Sequence, residues 1–181
     1  MSDSKSYFCA GESEIIDSAS VIGVGLIESA MRLTELFIAQ RPKEAIFLGS
    51  CGSYGGLNIF DTVESNIAVN IELSYLSNDS FTPICERVEG ICDVPRGTII
   101  NSSNYITSSK KASELFLQKK IDGENMEFFS FLSVAKRFGV KARGVFVVTN
   151  YCYENAHQEY VKNHKKAVEI LMEYMKGFEN G

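Results

Sequence analysis

Three stretches of this chain combine residue types that can bind or transform a small molecule. The first is Gly49-Ser50-Cys51-Gly52-Ser53-Tyr54-Gly55-Gly56, four glycines in eight residues. Small residues there let backbone N–H groups approach an anion, and Ser50 adds a hydroxyl donor. No GK[ST] follows, which excludes a P-loop, and the G-x-S-x-G spacing of a nucleophile elbow fails. The second is Gly123-Glu124-Asn125-Met126-Glu127, which sets a carboxylate beside a thioether just ahead of the apolar Phe128-Phe129-Ser130-Phe131. A lone Glu at a helix start commonly does no more than compensate the helix dipole. The third is Thr149-Asn150-Tyr151, where Asn150 offers both an amide donor and an acceptor or simply caps a turn. Cys51 with His157 would make a nucleophile and its base, but a triad also needs an orienting acid that the sequence does not supply. A small buried thiol is the default for Cys51. Gly23-Val24-Gly25 begins like a dinucleotide fingerprint, yet Glu28 stands at the third glycine position and rejects it.

These stretches need elements to position them. Tyr7–Gly11 and Ser20–Val24 read as short strands. Glu28–Gln40 spaces Ala30, Leu33, Phe37 and Ile38 as one face of an amphipathic helix, ended by Arg41-Pro42. Ala45–Gly49 and Gly144–Thr149 are uninterrupted apolar runs, the pattern of strands buried on both faces. Thr62–Ile71 alternates like a half-exposed strand, Asn78–Gly90 reads as a loop, and Gly97–Ile100 as a short strand. Lys110–Lys120 and Met126–Phe138 are helical, the second capped by Gly139. Ala156–Lys176 closes the chain as a helix with Val161, Val168, Leu171 and Met172 inward. Strands alternating with helices predict one α/β domain over residues 1–181, built on a mostly parallel, mixed sheet flanked by helices. Binding sites in such sheets lie where strands end, which nominates Gly49–Gly56, Asn101–Tyr105 and Thr149–Tyr151.

Composition narrows the partners. With 18 basic and 23 acidic side chains the net charge is −5, which argues against a nucleic-acid binder because phosphate backbones need clustered Lys and Arg. No apolar run reaches the roughly 18 residues of a membrane span, and no signal peptide is evident, which points to a cytoplasmic protein with no membrane partner. The five cysteines, odd in number and without a CxxC pair, read as reduced thiols. With only His157 and His164 as imidazoles, a four-ligand zinc site has little to draw on, and no metal is expected.

Taken in order, the motifs resemble those of the purine nucleoside phosphorylase and nucleoside hydrolase superfamily. These are Gly23-Val24-Gly25 after an early strand, Gly49-Ser50-Cys51-Gly52 closing a buried strand, Met126-Glu127 opening a helix, and Thr149-Asn150 ending a strand. The similarity runs from about Val21 to the C-terminus. It implies a nucleoside phosphorylase-like domain that cleaves purine nucleosides with phosphate as co-substrate, giving free base and ribose 1-phosphate without metal or organic cofactor. It assigns Gly49, Ser50, Cys51 and Gly52 to phosphate, Glu127 to the ribose hydroxyls and Met126 to packing on the sugar. Tyr105 is assigned to the purine face and Asn150 to the base, with Gly25 and Thr149 beside them. Asn150 cannot transfer a proton, and its donor and acceptor suit a 6-oxopurine. The resemblance also implies a homo-oligomer, dimer or higher, to which the aromatic stretch Phe128–Phe131 and an incomplete phosphate site both point.

Two departures leave other readings open. A glycine-and-arginine loop that many phosphorylases use for phosphate has no counterpart here, and a further arginine position holds Phe47. Arg32, Arg87, Arg96 or a neighbouring subunit would then have to supply the cation. Gly11-Glu12-Ser13-Glu14 resembles the water-activating stretch of the hydrolase branch, which makes a phosphate-independent nucleosidase with Glu12 or Glu14 as base the alternative. A nucleoside-binding protein without turnover is the third reading.

Overall fold

The computed structural model describes residues 5–11, 13–92 and 97–179. The N-terminal half contains β1 (Lys5–Cys9), β2 (Ser20–Val21), α1 (Leu26–Ala39), β3 (Glu44–Ser53), β4 (Thr62–Ser65), β5 (Ile67–Val69) and the one-turn α2 (Leu73–Leu76). The rest contains β6 (Arg87–Glu89), β7 (Ile99–Ser102), α3 (Lys110–Gln118), β8 (Gly123–Asn125), α4 (Phe128–Phe138), β9 (Lys141–Tyr151) and α5 (Ala156–Glu179).

Among the described residues, nine strands join in one sheet. Its centre is β3, which runs parallel to β1 on one side and to β9 on the other. The end of β3 then pairs antiparallel with β8 through Gly52 and Ser53, and β8, β7 and β5 continue the sheet in parallel. Antiparallel β4 and β6 edge it, giving the mixed, mostly parallel α/β sheet that the alternation of strands and helices predicts.

Because successive strand residues face opposite ways, β3 and β9 divide their apolar side chains between two layers. Phe47, Phe146 and Val148 meet Leu33 and Phe37 of α1 and Phe128, Phe131 and Leu132 of α4. Ile46, Leu48, Val145 and Val147 meet Ala167, Leu171 and Met175 of α5 on the opposite face. Each fully buried aromatic or aliphatic side chain contributes about 1.5–3 kcal/mol relative to exposure. α1 stops short of Pro42 because the residue before a proline is pushed out of the helical region. α4 stops at Gly139, which takes the left-handed conformation at φ 66°.

Several sequence expectations are corrected here. β3 outlasts the apolar run Ala45–Gly49 and continues through Ser53, with Gly49–Ser53 all buried. Thr62–Ile71 is two strands, and β6 lies inside the expected loop. β8 had no periodic signal because it is only three residues long. Ile38 is 74 % exposed and Val161 53 % exposed, although helical spacing puts both on an inward face. Phe128 and Phe131 are wholly buried beneath the sheet, so they cannot serve as a subunit interface.

Candidate active site

The strand ends of β3, β7, β8 and β9 and the N-termini of α4 and α5 enclose a cavity of about 270 Å³. Ser50, Cys51, Gly52, Tyr105, Met126, Glu127 and Asn150 all line it, so most of the residues singled out by the sequence converge from four separate segments. Gly25, Gly49 and Thr149 lie behind the wall. Gly25 serves through its backbone, donating its N–H to Glu127 Oε1 at 2.9 Å. Its φ of 86° belongs to the region that glycine alone enters freely, and a Cβ there would come within 2.9 Å of Asn104. Thr149 is buried and donates to Asn150 Oδ1 at 2.8 Å.

Glu127 sits at the start of α4, where Asn125 holds it. Asn125 Oδ1 accepts the N–H groups of Glu127 and Phe128 at 2.7 and 2.8 Å, and its Nδ2 donates to Glu127 Oε2 at 2.8 Å. The arrangement is an Asx cap that also fixes the neighbouring carboxylate. Burial pushes the Glu127 carboxyl up to about 7; the Gly25 N–H opposes this, the Glu14 charge adds to it, and the Asn125 amide opposes it again.

Glu14 is the second carboxylate of the cavity. It accepts Ser50 N–H at 3.1 Å, a very short bond from Ser50 Oγ, and the Tyr160 hydroxyl at 3.3 Å. Ser50's backbone and hydroxyl donors, expected to meet phosphate, are therefore occupied by a side chain of the same molecule. Glu12 and Arg96 lie outside the described residues. Arg32 pairs with Glu35 on the outer surface of α1, and Arg87 pairs with Glu89 on β6. Among the described residues no Lys or Arg lines the cavity.

A third buried carboxylate, Glu124 on β8, accepts from Tyr54 Oη at 2.9 Å, Thr107 N–H at 2.8 Å and Thr107 Oγ1 at 2.7 Å. It faces Gly52, where an added Cβ would meet Cys152 Sγ at 2.7 Å, Asn150 Nδ2 at 3.0 Å and Glu124 Cγ at 3.6 Å. Only glycine lets these three groups converge. Asn150 is engaged locally, with Oδ1 accepting from Thr149 and Nδ2 donating to Tyr151 O at 3.2 Å, which leaves one amide hydrogen and one lone pair. Cys51 and His157 share the cavity, but burial and the Glu14 and Glu124 charges push the Cys51 thiol up, away from a nucleophilic thiolate. Among the described residues no group of His, Cys, Asp and Glu side chains could hold a metal ion. No described helix is long and apolar enough to cross a membrane.

Residues 18–178 match the family model described as Phosphorylase superfamily. The chain belongs to that superfamily. Among the curated proteins none matches it. Among solved structures it is similar to a Helicobacter pylori MTAN mutant with 5′-methylthioadenosine in the active site, with 17% identity and a TM-score of 0.84 over 99% of both chains. Futalosine hydrolase of Helicobacter pylori aligns at 17% identity and a TM-score of 0.81 over 97% of both chains. The Neisseria meningitidis 5′-methylthioadenosine/S-adenosylhomocysteine nucleosidase, in complex with methylthio-immucillin-A, aligns at 13% identity and 0.75 over 91% of this chain and 93% of that one. These identities carry the fold, and the chain is an enzyme-superfamily member of nucleoside metabolism. The phosphorolytic reading is corrected: these neighbours are nucleosidases and a hydrolase, and the expected phosphate donors belong to Glu14.

Sequence reasoning missed Asn125, Glu124 and Tyr160. An Asn two residues before Glu127 was a readable capping signal. Glu124 and Tyr160 carried none, because their partners lie 70 and 146 residues away.

Proposed function

We propose that this chain is a purine nucleosidase that uses water to cleave the N-glycosidic bond, releasing free base and ribose. The observation that carries the reading is the engagement of Glu14 by Ser50 and Tyr160 in a cavity lined by no described Lys or Arg. A phosphate dianion entering there would meet three carboxylates without a compensating cation. A neutral water meets a hydrogen-bond acceptor instead. In the step proposed, the water oxygen bonds to the anomeric carbon and its proton passes to Glu14. The glycosidic electron pair leaves with the base, whose anion takes a proton from solvent while Glu14 returns its own to solvent. Glu127, ionised, accepts from the ribose hydroxyls and fixes the sugar for attack. Met126 packs on the sugar and Tyr105 covers the base face. The spare amide hydrogen of Asn150 stabilises the departing base, and its acceptor–donor pair favours a 6-oxopurine. The test is a panel of purine nucleosides assayed with and without phosphate, reading both base and sugar product. We expect base release at the same rate in both conditions, with ribose as the sugar. Ribose 1-phosphate, or a requirement for phosphate, would overturn the reading.

A further inference from the structure

The Glu14 carboxylate is held from two sides. Ser50 grips it from β3, and Tyr160 reaches it from α5 with its hydroxyl 3.3 Å from Oε1. That hydroxyl also lies 2.6 Å from Ser13 Oγ, on the residue just before Glu14. A tyrosine hydroxyl has one proton. If the Ser13 hydroxyl donates to the Tyr160 oxygen, the tyrosine proton is left directed at Glu14. The ring itself is fixed by stacking on His164, with centroids 5.4 Å apart at 22°. Thus α5 packs under the sheet and also brings a neutral donor to a buried carboxylate that no described cation accompanies.

We propose that Tyr160, with Ser13 behind it, is a positioning residue for Glu14, an inference that rests on the reading of Glu14 as the base. Its hydroxyl aims the carboxylate at the water. Among the described residues, the titratable groups that surround Glu14 include no Lys or Arg. Glu127 faces it from the start of α4, Cys9 from β1, Cys51 from β3, and His157 lines the same cavity from α5. Neutral donors therefore carry the task that a basic side chain could otherwise perform.

Tyr160→Phe keeps the ring and deletes the donor, and kcat is read at saturating nucleoside. The expected loss in kcat is about tenfold, the weight of one hydrogen bond to a charged group, with KM within about twofold of wild type. Ser13→Ala should lower kcat by less. Unchanged kcat in Tyr160→Phe would overturn the proposal, as would a loss confined to KM. Glu14→Gln separates the two levels. Near-complete loss of turnover in Glu14→Gln beside an unaffected Tyr160→Phe removes only the role of Tyr160. Wild-type turnover in Glu14→Gln removes the base and the positioning role together.

Discussion

Replacing Glu127 by Gln should change how stability depends on pH in a direction set by its burial. In the folded chain the carboxyl is raised from its ordinary 4.5 to about 7. Between those values the folded protein holds a proton that the unfolded chain has released. Stability from this group is therefore complete below about pH 4.5 and is lost as pH rises through 7. Each unit of difference corresponds to about 1.4 kcal/mol, so this group removes about 2–3 kcal/mol of unfolding free energy between pH 5 and pH 8. Gln cannot titrate. Its amide would also set a donor against Asn125 Nδ2 or the Gly25 N–H, since Asn125 Oδ1 is committed to two backbone N–H groups. That mismatch costs about 1–3 kcal/mol at every pH. Urea unfolding of both proteins at pH 5 and pH 8 should thus show a constant penalty for the variant plus a difference that shifts by about 2–3 kcal/mol in its favour at the higher pH. Equal differences at the two pH values would refute the raised carboxyl, and with it the view that the site keeps an acid in an unfavourable place for the sake of substrate.

Three other outcomes are open to measurement. Glu14→Gln should lower turnover at least a hundredfold while nucleoside binding, followed by calorimetry, persists. Asn150→Asp should shift relative activity from inosine toward adenosine, because a protonated carboxyl can donate to a ring nitrogen and accept from a 6-amino group; an unchanged ratio in a variant that still turns over would reduce Asn150 to its local bonds with Thr149 and Tyr151. The exposed apolar side of α1, with Ile27 at 70 % and Met31 at 59 %, continues toward the mouth of the cavity at Tyr105 and Ile106, and two copies joined there would cover it. Light scattering should report a dimer or higher species that Ile27→Asp with Met31→Asp returns to monomer.

The parts of the fold visible in the sequence are those whose pattern is local. β3 and β9 announce themselves as continuous apolar runs because both their faces are covered, by α1 and α4 on one side and α5 on the other. The Gly139 stop and the Pro42 boundary are likewise written into single residues. Ile38 and Val161 show the limit of the method, since helical spacing identifies candidate faces but not which of two apolar edges the neighbouring layer reaches. β8 escapes because three residues cannot display a period, and its existence depends on pairing with Ser53 and Gly52 some seventy positions earlier.

The candidate site divides on the same physical line. Glu127 and Asn150 stand beside residues that explain them locally, Asn125 as a cap and Thr149 as a hydroxyl donor. What the glycine-rich segment does was not local. Read alone, Ser50 with its glycine neighbours is an anion cradle, and donors in a small-residue strand end support that reading. Whether the anion is a ligand or a side chain depends on where residue 14 lies, and that is settled by β1 pairing with β3 in parallel, which carries the following turn to the β3 terminus. Once Glu14 occupies the cradle, the donors that the sequence offers to phosphate hold a side chain of the same molecule, and the second carboxylate at Glu127 makes a further anion still costlier. One side chain of the molecule thus fills the anion-binding strand end that the sequence alone offers to a ligand.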